Sequence, residues 1–302
     1  MDRFITTLVQ SYDFDRSELE KTFSQARYLQ SVIDAITRPA EKLDWYRYKR
    51  IFLTEDRING GVDYWQRHQE ILSRVEEEFG VPAEIIVAII GIETRYGSNK
   101  GGYRVIDSLS TLAFHYPKRA RFFRSELEQF LLLTREQQVD PMEIKGSYAG
   151  AMGIPQFIAS SYRNYAIDFD GDDYVNLWDN HEDAIGSVAN YFSRHGWING
   201  APVIYPVTEM PVDADRLVQD KLEPETTYES LQQAGVESAR PLTPDTRVAL
   251  LEFEETSGPV YWVGLKNFYV ITRYNHSQLY ALAAYLLSRE ILERYQQPAT
   301  DM

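Results

Sequence analysis

Apolar positions recur at helical spacing along the first two thirds of the chain. Leu19, Phe23, Ala26, Leu29, Val32, Ile33 and Ile36 follow Ser17 and Glu20, a capping-box pair, and predict a first helix that Pro39 ends. A second helix is expected from about Val62 through Trp65, Ile71, Leu72 and Val75 to Phe79, with Gly80 as its stop. Residues 82–95 start on Pro82, suited to a first helical turn, and carry Ile85, Ile86, Ala88, Ile89, Ile90 and Ile92 around most of the circumference. A helix apolar on all sides is a core helix. Further helices are predicted over 105–114, from about Lys118 through Phe122, Leu127, Phe130 and Leu133, over 181–195 with Ala184, Ile185, Val188 and Phe192 inward, and over 277–294.

The pattern changes after Gly196. Prolines, turn residues and short β-branched runs fill 198–272, and Val203–Tyr205, Arg247–Phe253, Tyr261–Val263 and Phe268–Ile271 read as strands. Gln296 to Met302 reads as a loose tail.

Composition narrows the function classes. The formal charge of −14 over 302 residues argues against a general nucleic-acid binder or a polybasic membrane dock. No apolar run is long enough to span a bilayer, and Met1-Asp2-Arg3-Phe4 does not open a signal peptide. The chain has no cysteine, which removes disulfides, thiolate metal sites and cysteine lipidation from consideration.

Candidate chemistry centres on Glu93, at the end of Val87-Ala88-Ile89-Ile90-Gly91-Ile92-Glu93-Thr94-Arg95-Tyr96-Gly97. Hydrocarbon surroundings disfavour an ionised carboxylate, and so does the partial negative charge of a helix C-terminus. A glutamic acid that keeps its proton near neutral pH can donate it to a leaving oxygen. The competing reading is a glutamate that leaves the core and pairs with Arg95 or Lys100.

Three other segments add to this. Gly146-Ser147-Tyr148-Ala149-Gly150-Ala151-Met152-Gly153-Ile154-Pro155-Gln156-Phe157 is dense in small residues that let backbone approach a bulky ligand, with Ser147 and Gln156 as neutral hydrogen-bonding groups; close helix–helix packing is the alternative. Asp168, Asp170 and Asp172 alternate as in an EF-hand loop, with the backbone carbonyl of Tyr174 and the carboxylate of Glu182 as further oxygen ligands for Ca²⁺. Asp173 takes the usual glycine position and Asp179 the usual glutamate position, and a solvated acidic turn is the alternative. Such an ion is structural, since its ligands leave little room for a reacting group. Asn267 to Ser277, with Tyr280 a turn later, sets aromatic faces beside amides, a combination that suits sugar rings and is also common in cores. The histidines at 68, 115, 181, 195 and 276 show no ligand spacing.

Taken in order, Gly91–Gly97, Phe114–Ala120, Gly146–Phe157, the loop 168–182, Val188-Ala189-Asn190-Tyr191-Phe192 and Asn267–Ser277 resemble the lytic murein transglycosylase B family over roughly residues 50–290. The resemblance implies a mainly α fold with a small β-rich domain, a lysozyme-like core plus a helical domain. The expected division is a helical domain of 1–78 and about 115–145, a lysozyme-like core of about 79–114, 146–197 and 273–295, and a β domain of 198–272. It also implies cleavage, without water, of the β-1,4 bond between N-acetylmuramic acid and N-acetylglucosamine in peptidoglycan. Glu93 matches the family's single catalytic acid. Ser147, Gln156, Tyr191, Tyr274, Asn275 and Tyr280 match sugar-site residues, Lys118 and Arg119 a basic pair for stem-peptide carboxylates, and the acidic loop a structural calcium site. The implied setting is a periplasmic monomer, with any outer-membrane anchor belonging to the native precursor, acting on glycan strands with no catalytic cofactor. A hydrolytic muramidase and a non-catalytic peptidoglycan-binding protein stay as alternatives.

Overall fold

A computed structural model of the chain describes residues 1–38, 43–219 and 221–297. These residues are mainly α-helical with a small β-sheet, and none of their helices is long and apolar enough to cross a membrane. They pack as two compact units, one of residues 1–38 with 97–187 and one of residues 43–96 with the described residues of 188–297. This contact-based division cuts the chain at different places from the three-part division expected above.

In the first unit, α1 (Asp2–Tyr12), α2 (Arg16–Gln25) and α3 (Gln30–Thr37) precede β1 (Tyr103–Arg104), α8 (Val105–His115), α9 (Ala120–Glu136), β2 (Lys145–Gly146) and α10 (Ala159–Tyr165). The single helix expected behind Ser17 is two helices. Asp15, not Ser17, is the N-cap: its carboxylate accepts the Glu18 N–H at 2.9 Å, and the Ser17 hydroxyl donates to it at 2.6 Å. Ala26 to Leu29 break the helix because α8 offers better partners, Asp107 accepting the Arg27 N–H at 2.9 Å and Thr111 the Leu29 N–H at 3.1 Å. Pro39 and the tail beyond residue 297 lie outside the described residues.

In the second unit, α4 (Trp45–Phe52), α5 (Glu55–Arg67), α6 (Gln69–Phe79) and α7 (Ala83–Thr94) come first. The helix expected from Val62 to Phe79 is interrupted at His68, whose N–H turns to the carbonyls of Tyr64 and Trp65. Gly80 ends α6 in the left-handed region, φ 67°. Helix α7 is buried almost throughout, and Glu76 accepts the Ala83 N–H at its start. Helix α14 (Gln278–Gln296) packs along α5 and α7.

The sheet of this unit runs in the order β4-β6-β7-β3-β5, from β3 (Ile204–Glu209), β4 (Thr226–Thr227), β5 (Glu237–Ser238), β6 (Arg247–Glu255) and β7 (Gly258–Gly264). One face buries Val248, Leu250 and Val263 with Tyr228 and Leu231 of α12 (Tyr228–Gln233). The other meets α4, where Trp45 and Phe253 make an edge contact at 5.7 Å.

The strand expected at Phe268–Ile271 is instead part of helix α13 (Lys266–Tyr274). A four-residue apolar run does not distinguish a strand from a buried helical turn. Here Asn267 decides: its side chain accepts the Ile198 N–H and donates to the carbonyls of Ile198 and Ala201, fixing the helix start inside the core.

Candidate active site

Glu93 occupies the last turn of α7 and is half-buried. Its carboxylate Oε1 accepts a hydrogen bond from the Tyr280 hydroxyl at 2.6 Å. Burial pushes the carboxyl up from its ordinary 4.5 to about 7, and the Tyr280 bond, which favours the charged form, only partly opposes this. No ion pair to Glu93 exists among the described residues. Lys100, one cation proposed as its partner, pairs with Asp179 at 2.8 Å and donates to the Trp178 carbonyl.

Phenols surround the acid. Tyr280 on α14, Tyr274 at the end of α13 and Tyr48 on α4 are raised first by burial and then by the charge of Glu93, Tyr48 to about 12. All three are therefore neutral hydroxyls at working pH. Tyr280 is only 2% exposed and its hydroxyl is spent on Glu93, so it holds the acid rather than presenting a sugar platform. Tyr191 is likewise buried and donates to the Arg273 carbonyl at 2.6 Å; its ring meets that of Tyr274 at 5.0 Å, edge-on, and that of His195 at 4.0 Å, stacked. Asn275 is exposed. Tyr48 is the member that sequence reading missed. A cavity of about 680 Å³ in the same unit, lined by Trp45, Lys49, Pro206, Glu255 and Trp262 among others, does not include Glu93.

The other predicted site residues belong to the first unit. The small residues of 146–157 serve packing there: a Cβ on Gly146 would lie 2.2 Å from the Ala151 carbonyl oxygen, and one on Gly153 2.4 Å from that of Leu177. Protein, not a ligand, fills the space these glycines open. Ser147 Oγ accepts the Ala149 and Ala151 N–H groups, and Gln156 Nε2 donates to the carbonyls of Lys100 and Gly153. Both side chains are half-buried. Lys118 and Arg119 are exposed, and the Arg119 guanidinium lies 4.4 Å from the centre of the Phe122 ring.

In the acidic loop, oxygens of Asp168, Asp170 and Asp172 all lie within 4.8 Å of one another. Burial raises Asp168, but the N–H groups of Gly171, Asp172 and Asp173 outweigh it and hold the carboxyl below its ordinary range. Asp173, in the usual glycine position, has φ 68°, a left-handed conformation that aspartate tolerates better than most side chains. Glu182 is not in the acidic group. Sequence reading missed Asp183, at the start of α11 (His181–Arg194): fully buried, it accepts the Phe169 N–H at 2.8 Å and the Asn176 N–H at 2.7 Å, tying together the residues on either side of Asp170–Tyr174. The donor set, all hard oxygen, fits Ca²⁺.

The family model described as the transglycosylase SLT domain matches residues 1–289. The membrane-bound lytic murein transglycosylase B of Escherichia coli (strain K12) is 42% identical over 299 residues, covering 96% of this chain and 81% of that protein. The crystal structure of soluble lytic transglycosylase SltB1 from Pseudomonas aeruginosa is similar with a TM-score of 0.92 at 49% identity, over 98% of this chain and 99% of that one. The structure of Escherichia coli lytic transglycosylase Slt35 in complex with calcium is similar at 0.89 and 43%, over 98% of this chain and 93% of that one. Matched over nearly its whole length, with relatives this similar, the chain belongs to the transglycosylase SLT domain family, alongside the lytic murein transglycosylases B.

Proposed function

We propose that this protein is a lytic transglycosylase that cleaves the β-1,4 bond between N-acetylmuramic acid and N-acetylglucosamine in peptidoglycan, with Glu93 as its single acid and base. The observation that carries the reading is a half-buried glutamate raised to about 7 and ringed by phenols. Two-carboxylate glycosidases place a second acid as nucleophile or base. Here the groups that feel the charge of Glu93 are Tyr48, Tyr274 and Tyr280, none of which is ionised at neutral pH.

The chemistry follows. Protonated Glu93 gives its proton to the glycosidic oxygen as the bond to C1 of the muramic sugar breaks, and oxocarbenium character develops there. The sugar's own acetamido oxygen assists at C1, so no second protein carboxylate is needed. The Glu93 carboxylate then takes the proton of the C6 hydroxyl, whose oxygen bonds to C1 and closes a 1,6-anhydro ring. Glu93 ends protonated as it began, and no water is consumed. A hydrolytic muramidase would differ only in the group that attacks C1, and the chemical identity of the released sugar ends separates the two.

Tyr280 tunes the acid. Its hydroxyl stabilises the charged form of Glu93, so Tyr280→Phe is expected to raise the Glu93 pKa. Activity falls as Glu93 ionises, and the alkaline limb of the pH–rate profile is expected to move to higher pH in this variant. A limb at or below the wild-type position would assign the ionisation to another group.

We assign Ca²⁺ to Asp168, Asp170 and Asp172, with the Tyr174 carbonyl as a further ligand, as a structural ion that supplies no chemistry to the reaction. The gathered carboxylates and the calcium complex of the Slt35 relative support this. A ligand that binds only the folded chain stabilises it, by about 2.7 kcal/mol at a hundredfold excess over Kd. Calcium titration is expected to raise Tm, and Asp168→Ala to remove the rise; an unchanged Tm in the parent protein would refute the site. Lys118 and Arg119 are assigned to the carboxylates of stem peptides, Ser147, Gln156 and Asn275 to sugar hydroxyls and amides, and Tyr274 to an apolar sugar face, with the buried Tyr191 packed behind it. The substrate places the work in the periplasm.

A further inference from the structure

Arg57 of α5 is buried, 8% exposed, and burying a guanidinium is costly unless its donors are used. Its Nη1 donates to the Gly91 carbonyl, and to the Ile92 carbonyl at 3.4 Å. These are the two residues before Glu93, in the last turn of α7; the Gly91 carbonyl also accepts the Arg95 N–H at 3.1 Å, so the guanidinium shares it with the helix cap. The connection is closed from the other side. The Tyr96 hydroxyl donates to the carbonyl of Arg57 itself at 2.5 Å.

The Tyr96 ring lies in a slot that three glycines keep open: a Cβ on Gly60, Gly61 or Gly91 would come within 2.9, 2.8 or 2.6 Å of its atoms. To reach that slot the chain turns through two consecutive left-handed residues, Arg95 at φ 49° and Tyr96 at φ 61°. Such backbone persists only where surrounding contacts hold it. Phe52 packs against the guanidinium at 5.2 Å, and the Arg57 Nε has no partner. A surface cation could cap a helix end with its hydration intact. A buried one, gripped on both sides, fixes a position.

We propose that Arg57 and Tyr96 form a latch on the end of α7, and that Arg57 is a positioning residue for Glu93 in the transglycosylase reaction. The proposal rests on the function assigned above. Neither latch side chain hydrogen-bonds the Glu93 carboxylate; they act on the backbone that carries it. Small misplacements of a reacting group cost up to about a hundredfold in rate.

The test compares Arg57→Ala, Arg57→Lys and Tyr96→Phe with the parent on soluble glycan strands, well below each protein's Tm. Arg57→Ala is expected to lose at least about tenfold in kcat with KM within about twofold, and Arg57→Lys to recover part of the loss. Tyr96→Phe, which keeps the ring in its slot, is expected to lose less. Millimolar guanidinium is expected to restore part of the Arg57→Ala rate. Folded variants with parental kcat would overturn the latch, as would a loss that follows only the unfolded fraction. The parent's own products judge the assigned reaction separately: reducing sugar ends from the parent would refute the transglycosylase reading, whatever the variants do.

Discussion

Replacing Glu93 with glutamine is expected to abolish turnover and, at the same time, to make the protein more stable at pH 8. Glutamine matches glutamic acid in shape and can still accept the Tyr280 hydrogen bond, but it has no proton to give. General acid–base catalysis contributes about 10² to 10⁴ in rate, and here one group performs both roles, so a loss of about 10³-fold or more is expected. The stability effect has the opposite sign and a definite pH window. Glu93 is raised from 4.5 to about 7, so the native state keeps a proton that the unfolded chain has already released. Its favourable contribution is complete below pH 4.5 and is lost as pH rises through about 7. Above that window the parent carries a buried charge that glutamine does not, a difference of about 3 kcal/mol. Thermal melting at pH 8 is therefore expected to favour Glu93→Gln by several degrees, and melting at pH 4 to show little difference. Equal stability of parent and variant at both pH values would mean that Glu93 is not desolvated.

The second large effect is expected at Asp183. Its two oxygens hold the N–H groups of Phe169 and Asn176, and its side chain is wholly buried. Asp183→Ala leaves both donors without their acceptor, at a cost of about 3 kcal/mol, and frees the loop on either side of Asp170–Tyr174. Urea unfolding is expected to report that loss, and the calcium-dependent rise in Tm to shrink in parallel. Asp183→Asn keeps one acceptor and is expected to fall between the two. A neutral Asp183→Ala would show that the loop is held by other contacts.

These residues also show what the sequence could and could not convey. Glu93 was legible because its signal is local: a carboxylate ending a run of isoleucines on a helix with no polar face. The acidic loop was legible for the same reason, since alternate aspartates report their own clustering. Tyr280 was expected to line a sugar site; its bond to Glu93 depends on contact with a residue 187 positions away, and no periodicity encodes that. Arg57 is harder still. In the sequence it is one more charged residue in a polar helix; its burial follows from Tyr96 turning back onto Gly60, Gly61 and Gly91.

The errors have physical causes as well. Phe268–Ile271 has strand composition, and the side-chain grip of Asn267 on Ile198 and Ala201 overrides it. The glycines of 146–157 were read as room for a ligand, but the room is taken by Ala151 and Leu177 carbonyls. A glycine in sequence reports a close approach without saying what approaches. Tyr48 escaped notice because α4 is only eight residues long, shorter than the stretch over which a helical period can be read. Asp183 had one available signal: a charged residue directly before Ala184 and Ile185, at the start of an inward-facing run.

The most direct test of the account is mass spectrometry of the sugar termini released from purified peptidoglycan by the parent protein. Muramic ends lighter by one water than reducing ends, and lost in Glu93→Gln, are the predicted result. Ordinary reducing ends would contradict it, because water rather than the C6 hydroxyl would then have attacked the anomeric carbon.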